Sequence, residues 1–162
     1  MPSFRIMHLL AAAMLAAILV SPAAADHHRG GPEREQRGHQ GGGHEHRLFV
    51  TVTGSSTQDR AMPLVLANQA VDQGLEVRVL LCGDGALLAV ADYEAEKFAP
   101  RDVSAKDLLA RLMANGVQVD VCAIFLPNTD YTEADLSDGI GIAQPGEVAS
   151  YMMGPRTRLF AM

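Results

Sequence analysis

From residue 48 onward the apolar and polar positions change period several times, and each change predicts an element. Leu48-Phe49-Val50-Thr51-Val52-Thr53 is a β-rich run cut off by Gly54-Ser55-Ser56-Thr57, which predicts a first strand and its loop. Ala61, Leu64, Val65, Ala67, Ala70 and Val71 then recur at helical spacing. They predict a helix from Asp59 or Arg60 to about Gln73, stopped by Gly74. Pro63 suits a first turn and argues against an earlier start, because an interior proline removes a backbone donor. Val77 to Cys82 is apolar and β-branched enough for a second strand, ending at Gly83-Asp84-Gly85. Two strands with a helix between them, over residues 48 to 82, make a βαβ unit and so a parallel pairing.

Ala86 to Ala91 predicts a short helix, and Asp92 to Val103 reads as irregular and charged. Ser104 is an N-cap with Asp107 three residues on, ahead of a helix over Ala105 to Ala114 that buries Leu108, Leu109 and Leu112. Asn115-Gly116 stops it. Val117, Val119 and Val121 alternate with Gln118 and Asp120 in a strand running into Cys122-Ala123-Ile124-Phe125. Leu126 to Asp130 is a loop, Thr132 to Leu136 a helical turn, and Gly139 to Ala143 a short strand. Pro145-Gly146-Glu147 opens a last helix through Met153, and Arg156 to Met162 is the final strand. Five strands alternating with helices predict an α/β domain over residues 48–162 with a mainly parallel sheet.

The segment ahead of this domain has another character. Residues 1–25 carry Arg5 and His8, a 12-residue apolar run from Leu9 to Val20, and then Ser21-Pro22-Ala23-Ala24-Ala25. That is the pattern of a secretory signal peptide cleaved after Ala25, and the run falls short of the about 20 residues a spanning helix needs. No stable membrane insertion is expected after cleavage, and a bacterial periplasm is the expected location. Residues 26–47 hold 6 Gly, 5 His, 4 Arg and 3 Glu and no aliphatic residue, so they predict a disordered tail. His27, His28, His39, His44 and His46 are candidate ligands there for Zn, Cu or Ni, held adventitiously because no cage is pre-formed.

Charge and composition narrow the chemistry. A net charge of -6 gives nucleic acid no basic surface to bind. The chain has no Trp and carries no Walker, Gly-x-Gly-x-x-Gly or Gly-x-Ser-x-Gly motif, so no cofactor is expected. With no His after residue 46, a Ser-His or Cys-His pair within the folded domain is excluded. The remaining reactive groups are the two cysteines, Cys82 and Cys122, each at the end of a strand. A parallel sheet presents its chemistry at the carboxyl ends of its strands, so Cys122 is either a nucleophile and group carrier or a small buried hydrophobe.

Gln58-Asp59-Arg60-Ala61, Cys82-Gly83-Asp84-Gly85, Asn115 through Cys122 and Asp138-Gly139-Ile140, in this order, resemble the DsrE/DsrF-like family of small sulfur-relay proteins, which includes YchN-like and TusD-like members. The resemblance covers residues 48–162. It implies a three-layer, flavodoxin-like fold, a homo-oligomer such as a trimer or hexamer, and sulfur donors and acceptors as partners. It also implies that Cys122 accepts sulfane sulfur as a persulfide, with Cys82, Asp59 and Arg60 as accessory residues. If the second and third strands are neighbours, as the family fold implies, a Cys82–Cys122 disulfide comes within reach. The rival expectation is a non-catalytic oligomeric binding protein with buried or disulfide-linked cysteines and a metal-capturing tail.

Overall fold

The computed structural model describes residues 46–162. The signal segment, the tail up to residue 45, and with them His27, His28, His39 and His44, lie outside the described residues.

Strand β1 is Arg47–Val52, so Arg47, expected to close the tail, instead opens the sheet. It pairs with both neighbours, at Glu76 and Thr157. Helix α1 follows at Thr57–Asp72, two residues ahead of the expected start. Ser56 explains the difference: its hydroxyl accepts from the Asp59 amide at 3.1 Å and caps the helix one half-turn earlier. Pro63 therefore sits inside α1, where it forfeits the amide that would reach back to the Asp59 carbonyl, and its ring is buried in compensation. Strand β2 is Glu76–Leu81, and the short helix expected at Ala86 is a 3-10 helix over Gly83–Ala89.

The stretch expected to be irregular contains a two-residue antiparallel pairing, β3 (Lys97–Phe98) with β4 (Val103–Ser104). Helix α2 occupies Ala105–Ala114, as the pattern indicates, with Ser104 and Asp107 in a reciprocal capping box. Strand β5 is Gln118–Val121, β6 is Gly141–Ile142, α3 is Pro145–Met152 and β7 is Thr157–Ala161. Single 3-10 turns at Leu126–Asn128 and Glu133–Asp135 bridge β5 to β6.

The main sheet has the order β6-β5-β2-β1-β7, and every pair in it is parallel. The chain steps outward from β1 through β2 and β5 to β6, and α3 then returns it to the opposite edge beside β1. Alternation along each strand supplies two faces. Val50, Val52, Val79, Leu81, Val119 and Val121 point to one of them and pack with Leu64, Leu88, Leu109 and Leu112 from the helical layer. Each such side chain contributes about 1.5–3 kcal/mol of burial. Asn68 ties that layer together, donating to the Leu64 carbonyl at 2.8 Å in its own helix and to the Leu108 carbonyl at 3.0 Å in α2. On the other face Phe49 packs with Ala143, Val148 and Tyr151, so α3 forms the third layer. The result is the three-layer α/β architecture with a five-stranded parallel sheet.

Candidate functional site

Because all five strands run the same way, their carboxyl ends meet along one edge, and both cysteines lie on it. The register pairs Leu80 with Asp120 and Leu81 with Val121, and Cys82 and Cys122 are the next residues on each strand. The Cys122 amide donates to the Leu81 carbonyl at 2.8 Å and the Cys82 amide to the Val52 carbonyl at 2.9 Å, so the ladder holds both backbones just past the assigned strands. Cys82 is still extended, with φ -135° and ψ 166°. Neighbouring strands are about 4.8 Å apart, so the sheet itself sets the two cysteines side by side.

Both cysteines are free thiols and half-buried, neither core residues nor joined in a disulfide. Burial pushes the Cys82 thiol up to about 12, and its S–H hydrogen bond to Cys122 and the negative charge Cys122 can carry push the same way. After Cys122 the backbone turns, with the Phe125 amide donating to the Cys122 carbonyl at 2.9 Å. Phe125 enters the core and stacks on Tyr131 at 5.9 Å, while Ile124 is left 70% exposed beside the thiol. The edge is tight on the other side of Cys82 as well. A Cβ on Gly85 would lie 2.3 Å from the Val52 carbonyl oxygen, so only glycine lets this turn pack on β1.

Beneath the thiols, on the face that carries α3, lies a charged pair. Arg78 donates through Nε and a terminal nitrogen to Asp120 Oδ2 at 3.0 and 2.8 Å, with both side chains 8% exposed. Gln118 Nε2 reaches the same oxygen at 3.0 Å. The guanidinium carbon of Arg78 lies 5.5 Å from the centre of the Tyr151 ring, and Arg47 lies over the same ring at 5.0 Å. Sequence reasoning passed over this pair. Its signal was there to find: two residues of opposite charge, each set between valines, on strands that end in cysteine.

The accessory residues lie on the same edge but apart from the thiols. Asp59 and Arg60 lie in the first turn of α1, which follows β1, and β2 with Cys82 separates β1 from β5. Asp59 packs against Gly54, where an added Cβ would meet the Asp59 Cβ at 2.2 Å. Arg60 donates through Nε to the Gly54 carbonyl at 3.0 Å and through a terminal nitrogen to the Tyr93 hydroxyl. Arg60 and Tyr93 line a cleft of about 270 Å³ with Ser55, Thr57, Glu94 and Glu96. Of its hydroxyls, Thr57 donates to Glu96 at 2.6 Å and Tyr93 accepts from Arg60, and Glu94 and Glu96 make the cleft acidic. Tyr93 is the residue here that the sequence did not single out. His46 is exposed just ahead of β1, and among the described residues no group of three or more metal-ligating side chains comes together.

A model of the DsrE/DsrF-like family matches residues 46–153. In three dimensions the chain is similar to the ychN protein from E. coli, with a TM-score of 0.62 and 17% identity over 72% of this chain and 99% of that one. It is also similar to MTH1491 from Methanobacterium thermoautotrophicum, described as a protein of unknown function, with a TM-score of 0.56 and 15% identity over the same 72% and 99% shares. Likeness at these identities is likeness of fold. No curated protein matches the chain.

Proposed function

The chain belongs to the DsrE/DsrF-like family, which is generally linked to sulfur relay, and from that membership we propose that Cys122 is a carrier of sulfane sulfur. The Cys122 thiolate attacks the outer sulfur of a donor persulfide. A bond forms from Cys122 Sγ to that sulfur, the donor's own S–S bond breaks, and the donor leaves as a thiolate. Delivery repeats the exchange: an acceptor thiolate takes the outer sulfur and the Cys122 thiolate leaves. No outside oxidant or reductant takes part in either half.

The observation that carries the reading is the position of Cys122, half-buried at the carboxyl end of β5 on an edge where a donor can reach it. A core role for this thiol would need fuller burial than that. The pattern of residues 1–25 supports placing the activity in a periplasm, and exposed Met62, Leu66, Met153 and Leu159 support a homo-oligomer. The test is a brief exposure to a sulfane-sulfur donor, followed within seconds by an alkylating quench and peptide mass analysis. Added sulfur should lie on the peptide with Cys122 and be missing from Cys122→Ser. Uptake by Cys122→Ser at the wild-type level rejects the carrier.

A further inference from the structure

A carrier needs one thiol, and this edge has two. Cys82 lies one strand over at the same level of the sheet, directly beside Cys122. Both residues follow the last paired position of their strands, and both are accessible in part. The about 4.8 Å between adjacent strands falls within the about 4.4–6.8 Å Cα separation that a disulfide spans. The chain has no third thiol, since Cys82 and Cys122 are its two cysteines.

We propose that Cys82 is a resolving thiol: it attacks the inner sulfur of a Cys122 persulfide, so that the chain reduces its own cargo to sulfide and closes a Cys82–Cys122 disulfide. This rests on the carrier reading above. In the step, a bond forms between Cys82 Sγ and Cys122 Sγ while the bond from Cys122 Sγ to the outer sulfur breaks. The outer sulfur leaves with the bonding pair and takes the Cys82 proton, departing as HS⁻. The sulfane sulfur gains two electrons and the cysteine pair loses two, so one turnover balances without an outside oxidant or reductant. Reopening the disulfide for another turnover takes an external dithiol, which is itself oxidised. The geometry gives the order: Cys122 meets the donor, and Cys82, one strand over, then attacks as its thiolate, the proton it gives up being the one the departing sulfide takes.

The experiment follows the full folded chain after loading. Wild type, Cys82→Ser and Cys82→Ala are treated briefly with inorganic polysulfide, desalted, and monitored by intact mass and by a sulfide assay with no reductant present. Wild type should lose its added sulfur, release sulfide in proportion to the chains loaded, and end lighter than the free-thiol form by the hydrogens of both thiols. Both variants should keep the added sulfur until a small thiol is supplied. Wild type that holds its sulfur as long as the variants do, or that shifts it intact to Cys82, overturns the resolving role and leaves the carrier standing. If wild type and the folded variants alike take up no sulfur and form no disulfide, the carrier reading falls and this inference falls with it.

Discussion

Cys82 and Tyr151 are single residues whose protons report on folding. Cys82 moves from 9.0 to about 12, mainly by burial, and Tyr151 from 10.0 to about 12, by burial and then by the Glu76 carboxylate to which its hydroxyl donates. An acid whose folded pKa is raised contributes stability that is complete below the unfolded value and is lost as pH climbs through the folded one. The two groups together should make the melting temperature fall between pH 9.0 and about 12, and a Cys82→Ser, Tyr151→Phe double variant should flatten part of that fall. An equal fall in the double variant would refute these assignments. The Arg78–Asp120 pair gives a second residue-scale prediction. Asp120→Ala leaves a buried guanidinium without its carboxylate and should cost about 3–5 kcal/mol in urea denaturation. Adding Arg78→Met should restore much of it, because the cost lies in the unpaired charge and not in the lost volume.

At the scale of elements, the carboxyl edge depends on close packing between the 3-10 helix after Cys82 and strand β1. Gly85→Ala drives a methyl into the Val52 carbonyl and should destabilise the fold by about 1–3 kcal/mol or more, with the Cys82 turn displaced. Amide hydrogen exchange should localise the loosening to the turn and the end of β1, and protection unchanged there would count against this packing argument. Helix α2 illustrates the opposite case, an element made by its own residues. The capping box of Ser104 and Asp107 starts it and Asn115-Gly116 ends it, so its bounds in the structure are those its sequence indicates. Helix α1 starts earlier than its sequence indicates because a cap at Ser56 and the burial of Pro63 outweigh one missing hydrogen bond.

For the whole molecule, α3 is a thin third layer of eight residues on one face of the sheet. It leaves Leu159 56% exposed on β7 and Met153 84% exposed at its own end. The register pairs Leu159 with Phe49, which places it on the face that α3 covers only in part. Sedimentation should find a trimer or hexamer, and Leu159→Glu with Met153→Glu should shift it toward smaller species without unfolding the monomer. A wild type that sediments as a monomer at every concentration would contradict the assembly proposed for this chain.

What the sequence determined by itself is what local physics decides: the alternation of strands and helices, the capping of α2, the breaks at glycine, and two cysteines each placed where a strand stops. Period and turn chemistry act over a few residues, so they are legible in order along the chain. What only the tertiary structure decided is adjacency. The two-residue strands β3 and β4 are too short to carry a period and exist because they pair with each other. Arg78 and Asp120 look like polar positions on their own strands until the register brings them together beneath α3. The return of β7 to the far edge, beside β1, depends on where α3 packs. The thiol pair has the same origin: each strand end is written locally, but only the order β5-β2 in the sheet, a contact across 40 residues of chain, makes two cysteines into one site.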